Sequence, residues 1–207
     1  MIGPRVYLVR HGETDWNAAG RLLSYTDEPL NDRGEEQAAT LAAELAGIHW
    51  DRAVSSPLLR ARRTAEVILA SAADPPTLEL DARLRERDMG PFEGWTDERL
   101  LADPAGAALR GDRGEAPGVE PESAIAARTG QFLSSMEPFE GTVLIVGHGR
   151  TLRVILAQAL RLPPSLARRM RMRNCRPAII EPGPRPLLLA LNAGDPRYEA
   201  TATREWS

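Results

Sequence analysis

The sequence predicts an α/β protein, a three-layer α/β/α sandwich around a mostly parallel central sheet. Three observations carry that expectation. Short β-prone runs alternate with helix-periodic segments, the pattern that lays helices over both faces of a parallel sheet. The chain of 207 residues is 43% apolar and 27% charged, a folding composition of single-domain length. A lone cysteine, Cys175, excludes a disulfide within the chain. A chain of this length buries roughly 70% of its unfolded surface without such staples.

The elements follow in order. Residues 5–10 (RVYLVR) form a β-prone run that stops at His11-Gly12. A helix is expected over 34–46, where Ala38, Leu41, Ala42 and Leu45 recur at helical spacing and Asn31 or Asp32 can cap. A second strand at 51–55 runs into Ser56-Pro57, an N-cap followed by the proline favoured in a first turn. The helix it opens reaches residue 72, with Leu58, Ala61, Ala65, Ile68 and Leu69 on one face. A third strand is weakly marked at 77–80. Residues 143–147 (VLIVG) give the clearest buried strand, and a helix over 151–162 follows His148-Gly149. Two last strands, 178–181 and 186–191, flank the turn Pro182-Gly183-Pro184. Between 103 and 122, three prolines and four glycines interrupt all periodicity. That stretch is expected to be a loop, a lid over a site, within one domain spanning 1–207.

Composition narrows the function. A net charge of −3 argues against a strong overall pull towards nucleic acid. All 26 basic residues are Arg, which excludes lysine Schiff-base chemistry and a lysine-bearing Walker loop. An anion would instead be gripped by guanidinium groups, whose forked donors suit phosphate or carboxylate. A GC-biased genome is the other source of the missing lysines. No run reaches the ~18 apolar residues of a membrane span, and residues 1–9 read as a strand rather than a signal peptide. The expectation is a cytoplasmic protein without a membrane partner. No His-Glu-x-x-His or paired-Cys spacing occurs, so neither metal nor cofactor is expected. Gly147-His148-Gly149 lacks the serine of a nucleophile elbow.

In such sheets ligands bind at the carboxyl ends of the strands. The first strand ends in Arg10-His11-Gly12, the second leads to Arg60, and the 143–147 strand ends in Gly147-His148-Gly149. Glycine admits a ligand close to the backbone, and the helix after each strand offers free N–H groups to an anion. Singly, each has a plain alternative: a hydrogen-bonded structural histidine, or a solvated Arg60 beside Arg62 and Arg63. His49, in Gly-Ile-His-Trp, is expected to be structural only. The convergence of three strand ends outweighs any one residue.

Leu8-Val9-Arg10-His11-Gly12-Glu13-Thr14-Asp15-Trp16-Asn17 closely resembles the signature of the histidine phosphatase superfamily, the phosphoglycerate-mutase-like enzymes. Further blocks resemble it in order over most of the chain. They are Gly20-Arg21 with Thr26 to Leu30, Gly34 with Gln37-Ala38, Ser55 to Ala61 with Thr64, and Leu84-Arg85-Glu86 through Glu93-Gly94. Glu120 to Ser123 with Arg128, then Val146 to Gly149 with Arg153, complete the match. The resemblance implies His11 as the phosphate-accepting nucleophile and Glu86 as proton donor. It also implies that Arg10, Arg60 and His148 bind the phosphoryl oxygens, with Asn17 assisting and Ser24 and Gly149 beside the substrate. A neutral imidazole is nucleophilic near pH 7, and phosphoryl transfer needs mainly positioning and charge neutralisation, which these groups supply without metal.

Within that resemblance the chain leans to the phosphatases. Mutases usually carry Glu-Arg-His-Tyr-Gly in the acid block, where this chain has Glu86-Arg87-Asp88-Met89-Gly90, and Glu93-Gly94 resembles phosphatase members. Mutase-type transfer is the alternative, and a non-catalytic phosphate- or nucleic-acid-binding module a more distant one. Asp88 and Glu93 are the rival proton donors. Ser24 and Arg150 depart from the family pattern; Arg150 adds a cation that either favours a second acidic group on the substrate or is solvated. Arg168, Arg169, Arg171, Arg173 and Arg176 form a basic stretch that suits a solvated helix end, an arginine facing the substrate, or an acidic partner. A small phosphorylated molecule is the expected partner; oligomeric state is not legible.

Overall fold

The computed structural model of the protein describes residues 4–110, 114–136 and 139–194. Its strands are β1 (Arg5–Arg10), β2 (Arg52–Ser55), β3 (Leu78–Leu80), β4 (Thr142–Gly147), β5 (Ala178–Glu181) and β6 (Leu187–Ala190). They form one sheet in the order β3-β2-β4-β1-β5-β6. The first four strands of that order are mutually parallel; β5 and β6 add on as an antiparallel pair. The α-helices are α1 (Asp15–Ala18), α2 (Asp32–Leu45), α3 (Leu59–Leu69), α4 (Asp97–Ala102), α5 (Pro104–Arg110), α6 (Glu122–Met136), α7 (Gly149–Ala159) and α8 (Pro164–Ala167).

Side-chain alternation divides the core into two layers. Val6 and Leu8 of β1, with Val143 and Ile145 of β4, pack against Phe132 and Met136 of α6 and Leu152, Ile155 and Leu156 of α7. Tyr7 and Val9, with Leu144 and Val146, face Ala38, Leu41 and Leu45 of α2 and Ala61, Ala65 and Ile68 of α3. Both faces are therefore covered, as expected of a parallel sheet, and the chain is the α/β/α sandwich that the alternation predicts.

Four details differ from the sequence expectations. First, α3 begins at Leu59 with Leu58 as its N-cap, and no side chain caps it. Ser56 does not cap the helix because its N–H still extends the sheet to the Val146 carbonyl at 2.9 Å. Second, α6 is a 15-residue helix that periodicity alone missed. Its buried stripe runs Ile125, Thr129, Phe132, Met136, with a threonine where an aliphatic residue would have carried the signal; the Thr129 hydroxyl bonds the Ile125 carbonyl and Gln158.

Third, the 103–122 stretch is helical over Pro104–Arg110 rather than loop throughout; its residues 111–113 lie outside the described residues. Asp103 accepts from the N–H groups of Ala105 and Gly106, both at 2.9 Å, and Pro104 occupies the first turn. Around it Phe92, Leu100 and Val119 form a third, small apolar cluster with Leu22, Met89 and Leu109. Fourth, α7 starts two residues early, with His148 itself as N-cap.

One close approach joins the sheet to α2. A Cβ on Gly12 would overlap the Gly34 carbonyl, and one on Gly34 would overlap the Glu13 backbone. Two glycines thus let the loop after β1 lie directly on the first turn of α2, where Asn31 caps the Gly34 N–H at 2.8 Å. That contact sets where the chain travels immediately after His11.

Candidate active site

The carboxyl ends of β1, β2 and β4 meet, as the strand-end argument requires. His11 follows β1, and its N–H bonds the Gly147 carbonyl of the neighbouring strand end at 3.0 Å. His148 follows β4, and the two imidazole centroids stand 5.2 Å apart. Arg60, in the first turn of α3, is fully buried, as is His148, and His11 is 3% exposed.

Each group is oriented by named neighbours. His11 Nδ1 lies 2.6 Å from the Gly12 carbonyl, which accepts only, so Nδ1 carries the proton and Nε2 the lone pair. The Gly12 N–H is tied to the Thr64 hydroxyl, which in turn donates to the Arg60 carbonyl. The Ser56 hydroxyl that fails to cap α3 stands 2.8 Å from His148 Nε2 while accepting the Leu58 N–H at 3.3 Å. On the other side of the ring, His148 Nδ1 is buried without a partner.

Arg60 donates to the carbonyls of Ser24 and Thr26 at 2.7 and 3.0 Å, and Arg10 donates to the Met172 carbonyl at 3.1 Å. Neither forms an ion pair among the described residues, and the Nε of each is buried without a partner. Burial lowers both guanidinium pKa values, that of Arg60 to about 10. Arg60 is thus held out of water and Arg10 partly so, each with donor groups unspent. Such a pair has the charge and the free donors to take up an anion.

The three carboxylates of the acid block separate by position. Glu86 lines, with His11, Arg10 and Asn17, a cavity of about 1080 Å³. Its carboxylate accepts the N–H groups of Arg150 (3.1 Å), Thr151 (3.3 Å) and Arg87 (2.9 Å), so it rather than a ligand occupies the amino end of α7. Glu93 instead accepts the N–H groups of Ser24 and Thr26, and so braces the loop whose carbonyls hold Arg60. Asp88 bonds the Gly90 N–H.

Ser24 has every polar group engaged: N–H to Glu93, carbonyl to Arg60, and hydroxyl between the Arg87 carbonyl and the Met89 N–H. Gly149 lines the cavity against the Arg10 side chain. Asn17 lines it with a buried, unpartnered Oδ1. His49 lies 3.5 Å from Asp51, and its side chain is 69% exposed, away from the other two histidines.

Arg150 is not solvated. Its guanidinium bonds Glu122 at 2.9 Å, and it borders the cavity. The basic stretch is likewise part of the wall: Arg171, Arg173 and Arg176 line the cavity, while between them the Met172 carbonyl holds Arg10 and the Asn174 side-chain amide donates to the His11 carbonyl. Sequence reasoning missed Asn192, which is 1% exposed and bonds both Arg171 and Arg173; only its left-handed backbone (φ 57°), uncommon outside Gly and Asn, marks it. Among the described residues no group of three His, Cys, Asp or Glu side chains is placed to hold a metal ion, and no helix is long and apolar enough to cross a membrane.

Burial, then Arg10 and Arg60, hold the His11 pKa well below the ordinary 6.5; burial, then Arg60 and His11, do the same for His148. Both rings are neutral at pH 7. As pH falls below 6.5 the unfolded rings take up protons and the folded ones do not, so stability falls with pH. Two such groups give a slope of up to about 2.7 kcal/mol per pH unit. Urea unfolding at pH 7.5 and 5.5 should show a smaller acid loss in His11→Gln/His148→Gln than in the native protein. Equal losses would mean that the rings titrate as in water.

The chain matches the family model described as histidine phosphatase superfamily (branch 1) over residues 6–192. It is 38% identical, over 177 residues, to an Erwinia tasmaniensis protein named "Probable phosphoglycerate mutase GpmB", covering 83% of this chain and 81% of that protein. A mycobacterial glucosyl-3-phosphoglycerate phosphatase structure superposes with a TM-score of 0.81 at 31% identity, covering 92% of this chain and 100% of the other. The alpha-ribazole phosphatase of Shigella flexneri, at 24% identity, shares the fold with a TM-score of 0.81 over 91% of this chain and 96% of its own. With the Arg-His-Gly strand end, the buried Arg60 and the second histidine in one cluster, the chain belongs to the histidine phosphatase superfamily.

Proposed function

We propose that the protein is a metal-independent phosphomonoester hydrolase that acts on a small phosphorylated metabolite through a phosphohistidine on His11. One observation carries this: a neutral imidazole with its proton held on Nδ1 by Gly12 stands beside two guanidinium groups, Arg60 buried and Arg10 partly buried, that lack counter-ions among the described residues.

In this reading the substrate phosphoryl group lies between Arg10, Arg60 and His148, with Asn17 at its edge. His11 Nε2 attacks phosphorus in line as the bond to the ester oxygen breaks, and Glu86 delivers a proton to that oxygen. The alcohol leaves. Water then gives a proton to Glu86 and attacks phosphorus, the P–N bond breaks, and His11 returns to its neutral tautomer. The two arginines neutralise charge that grows on the equatorial oxygens, and being held in advance they need no reorganisation. Ser24 acts on Arg60 rather than on substrate. The segment 103–122, with Leu109 on the cavity wall, acts as the lid that shapes the leaving-group side.

The likeness to a glucosyl-3-phosphoglycerate phosphatase supports hydrolysis; the name of the Erwinia relative supports a second reading as a mutase. The acid block favours the first, because Asp88-Met89 replaces the usual mutase pair and Asp88 turns back to its own loop. In 3-phosphoglycerate with 2,3-bisphosphoglycerate and excess chelator, phosphate release should exceed isomer interchange. Dominant interchange would establish the mutase, and activity that needs an added divalent ion would sink the metal-independent mechanism.

Glu86 should matter in proportion to how badly the leaving group needs a proton. Protonation is worth ~10²–10⁴-fold for an alkoxide and far less for a nitrophenolate. Pre-steady-state formation of phosphohistidine in Glu86→Gln should therefore be slowed severely with alkyl phosphates and mildly with nitrophenyl phosphate. Equal losses on both, or a selective loss in Asp88→Asn instead, would move the proton donor elsewhere.

A further inference from the structure

Asn192 lies two residues after β6 and is buried. Its side-chain amide bonds two alternate residues of that stretch: Oδ1 accepts the Arg173 N–H, and Nδ2 donates to the Arg171 carbonyl, both at 2.8 Å. The residue between them, Met172, turns its carbonyl to Arg10 at 3.1 Å, and the Met170 carbonyl receives Arg153 at 3.3 Å. One short segment thus has its Arg171 carbonyl and Arg173 N–H closed by Asn192 and its Met170 and Met172 carbonyls spent on two arginines.

Among the described residues, the Met172 carbonyl is the only hydrogen-bond partner of the Arg10 side chain. A carbonyl in an irregular segment does not hold a direction unless its own peptide plane is held. The neighbouring peptide groups at Arg171 and Arg173 have no strand alongside, and the Asn192 amide supplies the one donor and one acceptor that such a strand would offer. The left-handed turn at Asn192 does not itself require this amide, since glycine would satisfy it. Burial at 1% exposure then makes those two bonds obligatory for the amide as well as for the segment.

We propose that Asn192 is a positioning residue for phosphate binding: by closing the Arg171 carbonyl and the Arg173 N–H it fixes the Met172 carbonyl, and through it the direction of the Arg10 guanidinium. The proposal rests on Arg10 as a phosphate ligand. Loss of the amide loosens the grip on the phosphoryl group.

The test is calorimetric binding of inorganic phosphate to the native protein, Asn192→Gly, Arg10→Ala and the double variant, with melting temperatures and steady-state constants beside it. Glycine keeps the left-handed backbone without strain, so the variant removes the amide alone. Asn192→Asp, which keeps the acceptor for Arg173 and loses the donor to Arg171, is the second variant should the first not fold. Either should raise the phosphate Kd and the KM for nitrophenyl phosphate roughly fivefold to twentyfold, with a smaller change in kcat. Neither should weaken binding further once Arg10 is alanine.

A folded Asn192 variant with native phosphate affinity, or one whose loss persists in full in Arg10→Ala, overturns the inference. Should Arg10→Ala itself bind phosphate normally, Arg10 is not a ligand and the inference falls with that assignment. A raised Kd in Arg10→Ala with native behaviour in both Asn192 variants overturns the inference alone.

Discussion

Two guanidinium groups without counter-ions among the described residues, Arg60 buried and Arg10 partly so, stand beside two buried imidazoles and are the constraint around which this molecule is arranged. A cation taken out of water is unfavourable unless something negative or dipolar replaces the solvent. Here carbonyl oxygens do so in part: Ser24 and Thr26 for Arg60, Met172 for Arg10. In the proposed function the remaining donors serve the substrate phosphoryl group. The same field acts on the imidazoles, keeping both rings neutral, the state that the proposed attack by His11 needs.

The rest of the fold reads as support for that arrangement. Parallel pairing of β1 and β4 brings both histidines to one end of the sheet, and Gly12 against Gly34 fixes the loop that departs from His11. Glu93 holds the Ser24–Thr26 backbone that holds Arg60, while the Ser56 hydroxyl engages His148 Nε2 at 2.8 Å. Arg128 pairs with Glu120 at 2.8 Å and also reaches the backbone of Arg83 and Glu86, so the segment that carries Glu86 is clamped from the amino-terminal turns of α6. Cys175 lies against the same wall, its N–H on the Arg10 carbonyl. Burial pushes its thiol up to about 12, so it offers no competing thiolate.

How much of this was legible follows from where each signal resides. The strands announce themselves because both faces of β1 and β4 are buried and nearly every residue is apolar. The site residues are legible because they lie at chain positions next to glycine, at strand ends, in contiguous blocks. What could not be read is what depends on partners distant in sequence. Ser56 looked like a helix cap because its hydroxyl has a local use; its actual partner, His148, is 92 positions away. The α6 helix hid because a buried threonine interrupts its apolar stripe. Arg150 and the 168–176 arginines were ambiguous because charge alone does not say whether a guanidinium meets water, Glu122 or a cavity. Asn192 carried no signal beyond its identity.

The central claim is that the protein makes a covalent bond between phosphorus and His11 in every turnover. Brief mixing with an excess of substrate, an alkaline quench that preserves phosphohistidine, and peptide mass spectrometry test it directly. The account predicts one phosphoryl group per chain on His11, absent from His11→Ala and present in protein treated with chelator. Phosphate on another residue, or turnover with no labelled protein at any mixing time, would contradict it.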